Sequence, residues 1–373
     1  VQTLRAEFHW SNTTAGLVSS ATLIASAFGG IVAGILSDRI GRRRTLIYTI
    51  LTYSIASAGS ATSSGLVTLL FWRALIGLGL GGEWSAGAVL VAETWPSEHR
   101  AKAIGLMQSG WAIGYMLAAV VTALILPRYG WRLLFLAGVF PALLTIWIQR
   151  KVEEPQIWLT RNRAKVSLLT LFRPPLARIT WCATALATSV LYAYWGLFTW
   201  LPAFLSAPVA QGGAGLNIAR TSAWIFVMQG GTFLGYVSFG WLADRYGRRP
   251  AFFGYVIAAA ILTPIYGLTP RWAGASSETW LLVIGPLIGF CGTGFFALFG
   301  AMLAELYPTS VRGAGQGLVY NLGRGLSALA PLLVGAVADR KGIGAALALN
   351  SGFFLIGAFL IFTLPETRNR DLT

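Results

Sequence analysis

The stretch Gly34-Ile-Leu-Ser-Asp38-Arg39-Ile-Gly41-Arg42-Arg43-Arg44 joins two apolar runs, and it returns 206 residues later as Gly240-Trp-Leu-Ala-Asp244-Arg245-Tyr-Gly247-Arg248-Arg249. Glu93, Pro96 and Arg100 recur in the same way as Glu305, Pro308 and Arg312, 212 residues on, and Gly105 returns as Gly317. Two copies of one unit are therefore present. In each copy the acid sits at the carboxyl end of a helix, where the macrodipole disfavours it, so it needs a partner: Arg39, Arg42, Arg43, Arg44 or the positive amino end of a neighbouring helix for Asp38, and Arg245, Arg248 or Arg249 for Asp244. Gly34 is read as permitting close helix approach, and Gly41 as ending its helix in a left-handed turn. The duplicated set Gly34, Asp38, Gly41, Arg42, Glu93, Arg100, Asp244, Arg248, Glu305 and Arg312 is expected to clasp helix ends in one conformation and release them in another, with interfacial anchoring an equal alternative for Glu93, Arg100, Glu305 and Arg312.

Working outward, the chain has 373 residues, of which 55% are hydrophobic and only 11% charged, with 44 Gly and 15 Trp. A soluble chain carries about 25% charged residues, so the whole length is expected to sit in a bilayer. Apolar runs predict eleven helical spans near 14–37, 45–62, 69–92, 103–126, 131–149, 178–206, 221–243, 251–269, 280–304, 314–338 and 344–364. They form an all-α membrane protein of two bundles, at 1–149 and 178–373, separated by a charged linker at 150–177. The net charge of +15 comes from short Lys/Arg clusters between spans rather than a basic face, which argues against nucleic acid. If Arg39 to Arg44 are cytoplasmic, alternation puts nineteen basic residues inside and seven outside, with Arg73 and Arg324 within spans. The positive-inside rule selects that orientation, with a cytoplasmic C-terminus, in a plasma or bacterial inner membrane. Five spans in the first copy against six in the second lead us to expect that a first helix is absent.

Inside the spans, Glu83 is the one deeply placed acid, at a cost of about 2.5–3.5 kcal/mol on insertion scales. It follows Arg73-Ala-Leu-Ile-Gly77-Leu-Gly79-Leu-Gly81-Gly82. Arg73 is ten residues earlier and too far along the helix for a direct pair. Arg324, between Gly323 and Gly325, is the corresponding cation of the second copy and the first choice for binding a carboxylate; pairing with Glu83 is the alternative. Gln108, Gln229, Tyr320 and Asn321 are candidates to line a polar cavity, and Tyr192 and Trp195 are candidates by virtue of a shared helical face. The glycines at 77, 79 and 82 fit a dinucleotide-binding spacing, but no strand precedes them, so no such site is expected. Asn12-Thr13-Thr14 fits a glycosylation sequon. No cofactor is expected, since Cys182 and Cys291 fall within apolar runs and His9 and His99 are the only histidines.

At the duplicated turns the chain resembles the major facilitator superfamily. The resemblance implies twelve helices in two pseudo-symmetric six-helix bundles, here helices 2–6 and 7–12, with a midplane cavity and alternating access. The Arg73–Glu83 segment is similar to the fourth helix of the sialate/lactate and metabolite:proton symporter groups, where a basic residue and an acid at these positions are associated with the buried site. Val152-Glu153-Glu154-Pro155 and Leu364-Pro365-Glu366-Thr367 resemble the half-ends of sugar porters. The function expected is proton-coupled symport of a small organic anion by a monomer in the lipid bilayer. The runner-up, a drug antiporter, is disfavoured because the run from Gly105 to Leu126 lacks proline, and an acyltransferase because neither histidine has an acid four or five residues on. A nontransporting sensor is the remaining alternative.

Overall fold

The structure is a computed structural model, and it describes residues 2–95, 100–156, 159, 168–308 and 312–368; within helices the side chains of Gln2, Asp38, Ala92, Arg100, Ala101, Lys102, Leu168, Ala301, Ala304, Arg312 and Ala314 are outside the description. The first half comprises α1 (Gln2–Phe8), α2 (Asn12–Ile40), α3 (Arg42–Ser60), α4 (Leu66–Thr94), α5 (Arg100–Leu136) and α6 (Ala142–Lys151). The second comprises α7 (Leu176–Ser206), α8 (Ile218–Tyr246), α9 (Arg248–Trp272), α10 (Ser277–Gly294), α11 (Phe296–Leu306), α12 (Arg312–Ser327), α13 (Leu329–Lys341), α14 (Ile343–Asn350) and α15 (Gly352–Leu360). Nine stretches among the described residues are long and apolar enough to cross a membrane. The difference from the expected eleven has two causes. Helix α3 forms, but its three arginines and run of Ser and Thr keep it out of that group. The expected spans 103–126 and 131–149 lie in one continuous stretch, Ala103–Lys151, in which Gly130, with φ 75° and ψ 178°, breaks the helical path just after Pro127.

Backbone proximity explains the glycines of α4. A Cβ at Gly77 would lie 2.2 Å from the Thr22 carbonyl oxygen and one at Gly81 1.8 Å from that of Ser26, both on α2. On the adjacent face, a Cβ at Gly79 would meet the Thr49 carbonyl of α3 at 2.7 Å. The apparent nucleotide spacing is thus two small-residue faces, each seating a neighbouring helix. The second half repeats the device between α8 and α10, where Gly231 and Gly289 approach the carbonyls of Pro286 and Met228. Gly34 does not behave as expected: a Cβ there meets nothing within 4 Å, so close approach is not its role. Gly81→Ala is expected to destabilise by about 3 kcal/mol or more, because a fixed backbone carbonyl must move, whereas Gly34→Ala is expected to melt within about 1 kcal/mol of the parent. Thermal melts of both variants in detergent check the contrast.

The halves meet along two seams, α2 against α12 and α13, and α5 against α8 and α11. Near the end of the charged linker, Leu171 is buried and its carbonyl accepts from the Thr180 hydroxyl on α7 at 3.0 Å, so the end of the linker packs on the second half.

Candidate functional site

The two duplicated turns are built alike. Gly41 has φ 108° and ψ 157°, Gly247 φ 104° and ψ 157°, a region essentially confined to glycine. Each turn launches a helix whose first residues are arginines, a poor arrangement at the positive end of a helix dipole. The remedy is an acid from the end of the same half. Glu154 accepts from the backbone N–H groups of Arg42 and Arg43 at 2.8 and 3.1 Å, and Glu366 from those of Arg248 and Arg249 at 2.9 and 3.0 Å. The half-ends singled out in the sequence are therefore caps of the duplicated helices.

The arginine side chains complete the cluster. Arg42, 2% exposed, binds Glu93 through Nε at 3.1 Å and Nη2 at 3.0 Å, and donates Nη1 to the Ser37 carbonyl at 2.7 Å. Arg248 pairs with Asp244 and, at 3.3 Å, with Glu305. Both contacts stay within a half. The side chains of Asp38, Arg100 and Arg312, and residue Pro96, lie outside the described residues.

Burial raises the Glu366 carboxyl, but the N–H groups of Arg249, Arg248, Arg368 and Thr367 outweigh it and hold the group below its ordinary value. A depressed folded pKa contributes stability above the unfolded value, lost as pH falls through the folded one. Glu366→Gln is expected to cost about 1 kcal/mol at neutral pH, the usual worth of a cap, and to melt like the parent once the pH is below the folded value. Paired melts at pH 7 and in acid check this.

Midway along the α2/α12 seam, side chains from four helices converge. Arg324 of α12 is 7% exposed and donates Nη1 to the Ser26 hydroxyl of α2 at 2.9 Å. Its guanidinium lies 4.9 Å from the Tyr320 ring centroid, and its Nε has no hydrogen-bond partner. Among the described residues no carboxylate pairs with it, so the alternative of an Arg324–Glu83 ion pair is not what the structure contains. Tyr320 stacks on Trp84 of α4, with centroids 4.0 Å apart, and Trp84 Nε1 donates to Gln108 Oε1 of α5 at 3.0 Å. Asn321 is fully buried, donates to the Gly317 carbonyl at 2.9 Å, and leaves Oδ1 unpartnered. Next to this group, Trp111 of α5 donates to the Tyr194 hydroxyl of α7 at 2.9 Å and meets Trp195 edge-on at 6.3 Å. Tyr194 is joined to Tyr320 through Phe296 and Phe299, with successive ring centroids 4.9, 6.2 and 6.0 Å apart, which ties the aromatic group to the Arg324 group.

Arg324, Tyr320, Asn321, Gln108 and Trp195 are thus brought into one neighbourhood. The other four expected residues make no described hydrogen bond or ring contact with this group. Tyr192 stacks on Phe353 of α15 at 3.8 Å, not beside Trp195; residues three apart point about 60° apart, enough here to face different helices. Arg73 lies over the Phe135 ring at 4.9 Å, away from the group. Gln229 is 2% exposed with Oε1 unpartnered. Glu83 is half-buried and accepts no hydrogen bond among the described residues. Trp84, Trp111, Tyr194 and Ser26 were not anticipated; Trp84 adjoins the suspect acid, but neighbours in a helix point in different directions, so nothing in the sequence marks it as the link to Gln108.

At the end of the seam remote from the duplicated turns, Asn12 Nδ2 and the Thr13 hydroxyl each donate to Asp339 of α13 at 2.7 Å. The sequon asparagine is therefore a contact between the halves.

Comparison with known proteins agrees with this architecture. The profile of the Major Facilitator Superfamily matches residues 1–228 and 207–373. A protein of Cupriavidus pinatubonensis named for 4-methylmuconolactone transport is 36% identical over 371 residues, covering 96% of this chain and 84% of its own. The cis,cis-muconate transport protein of Acinetobacter baylyi is 29% identical over 377 residues, covering 98% of this chain and 89% of its own. Among solved structures, that of a proton:xylose symporter bound to 6-bromo-6-deoxy-D-glucose superposes with a TM-score of 0.77 at 18% identity, covering 97% of this chain and 88% of that one. The all-α fold, the duplicated turns and these matches together mean that the chain belongs to the major facilitator superfamily.

Proposed function

We propose that the protein is a proton-coupled symporter of a small organic carboxylate, working by alternating access with the face of Gly41 and Gly247 toward the cytoplasm. Family membership carries the coarser statement, secondary transport of organic solutes across a membrane by a multi-pass protein that is not an enzyme. The finer reading rests on one observation. Arg324 is buried where the halves meet, and its described partners are a neutral hydroxyl and an aromatic ring, with Nε unpartnered. A buried cation without a counter-charge is costly, and a planar carboxylate relieves that cost through charge-assisted bonds that a point charge does not match. The half-buried, unbonded Glu83 supports the proton part, since a carboxylate in a span persists at the insertion cost only where it has work or a partner. The names of the two relatives, for muconate and a muconolactone, support an organic acid.

The test is uptake of labelled cis,cis-muconate and of other small mono- and dicarboxylates into proteoliposomes. Inward proton gradients are expected to drive accumulation, and a protonophore to abolish it. Accumulation of a carboxylate driven only by an outward proton gradient converts the reading to antiport; uptake of neutral solutes alone refutes it.

A further inference from the structure

A third turn of the duplicated kind occurs on the opposite face. Gly335-Ala-Val-Ala-Asp339-Arg340-Lys341-Gly342 keeps the spacing of Gly34, Asp38, Arg39 and Gly41, and Gly342 has φ 84° and ψ 155°, close to Gly41 and Gly247. Its acid behaves differently. Where Asp244 pairs with Arg248 of its own half, Asp339 is engaged by Asn12 and Thr13 of the other half. Its carboxylate oxygens are thereby occupied by neutral donors.

This turn forms part of the wall of a cavity of about 510 Å3 that also collects Arg5, Arg271, Arg340 and Lys341. The alternation of spans assigns seven basic residues to this face, and four of them line the one cavity. Of the other three, Arg132 pairs with Glu7 and Arg220 with Glu278. The cavity therefore holds four cations against a single carboxylate, Asp339. Charges so crowded in a concave wall raise the local concentration of anions and speed their arrival. Arg5 is held in place by its Nε bond to the Trp10 carbonyl at 3.2 Å, so the cavity wall is partly preorganised.

We propose that this cavity is a capture site for small carboxylates, filling before the central site and raising the concentration of the anion at the mouth of the transporter. The inference rests on the carboxylate reading above for the identity of the anion, but not for the existence of the positive site. An anionic lipid headgroup shares the chemistry, and the experiment separates the two.

The experiment uses the full chain in proteoliposomes, with Cys182 and Cys291 replaced by Ala and a reporter Gln211→Cys in the cavity wall. An anionic methanethiosulfonate is expected to modify the reporter about tenfold faster than a cationic one of equal size in zwitterionic lipid at low salt. That ratio is expected to fall toward one at 0.15 M salt, where the screening length is about 8 Å, and in Arg271→Gln/Arg340→Gln/Lys341→Gln. Arg271→Lys/Arg340→Lys is expected to keep it. Millimolar cis,cis-muconate is expected to slow modification at constant ionic strength, and the triple variant to raise the KM for uptake about tenfold. Equal reagent rates in the parent overturn the site, whatever is transported. Loss of the ratio on adding anionic lipid, with no effect of muconate, assigns the cavity to a headgroup and overturns the capture role. A carboxylate that is taken up while the triple variant keeps the parental KM does the same. Absence of all carboxylate uptake with the reagent ratio intact sinks the transport reading and leaves the positive site standing.

Discussion

Arg324→Gln is expected to lower kcat/KM for carboxylate uptake by about 100-fold or more. Hydrogen bonds to a charged group are worth about 1.5–3 kcal/mol each, and a guanidinium can offer a carboxylate two in parallel. Arg324→Lys keeps the charge but loses the fork, and is expected to recover part of the activity, within about tenfold of the parent. Ser26→Ala removes only the neutral seat of Nη1 and is expected to cost about tenfold at most, by letting the guanidinium wander. This ordering separates a ligand from a structural role. If Arg324 merely fastens α12 to α2, Ser26→Ala and Arg324→Gln remove the same fastening and lose comparable activity. Initial rates across a range of carboxylate concentrations, with melting temperatures recorded alongside, read the difference. A glutamine variant with parental kcat/KM removes the substrate role outright.

The parts of this molecule legible in the sequence were those that the backbone itself requires. Gly41 and Gly247 stand at positive φ, so the turn cannot be built from other residues, and the same spacing in both copies announced two halves. Arg248 was legible for a related reason: Asp244, an acid at a helix end, needs a cation and has it. Arg42 was legible as its copy, and the described acid that it binds is Glu93. Glu154 and Glu366 were visible as matching half-ends, but their work was not, because each bonds a helix start 112 or 118 residues away. Arg324 and Asn321 stood out as polar groups in apolar runs. Their neighbours did not: Trp84, Trp111 and Tyr194 read as ordinary aromatic packing until stacking and hydrogen bonds join them across helices. Helical periodicity misled at Tyr192, since a shared face on α7 is wide enough to touch both α5 and α15. Gly34 misled too, because membrane glycines are so often contact residues, and here the contacts fall on Gly77, Gly79 and Gly81 instead.

Glu83→Gln is expected to abolish gradient-driven accumulation while leaving exchange of internal for external substrate within about threefold of the parent. Glutamine has nearly the shape of a protonated glutamate, so the loaded, protonated carrier is imitated and still reorients with substrate bound. The step lost is release of the proton, without which the inward gradient performs no work on the substrate. For a monocarboxylate carried with one proton, each pH unit across the membrane supplies about 1.36 kcal/mol, a tenfold concentration ratio. The parent is thus expected to hold about ten times more substrate inside than out at one pH unit, and Glu83→Gln a ratio of one. The surroundings suit such a role: the side chain is half-buried on a helix whose glycines seat α2 and α3, and no described donor holds it ionised. A packing glutamate gives a different pattern, in which glutamine lowers exchange and accumulation in equal proportion through lost stability. Steady-state accumulation and exchange measured on the same vesicles decide between them, and a variant that still reaches the parental ratio places the proton on another residue.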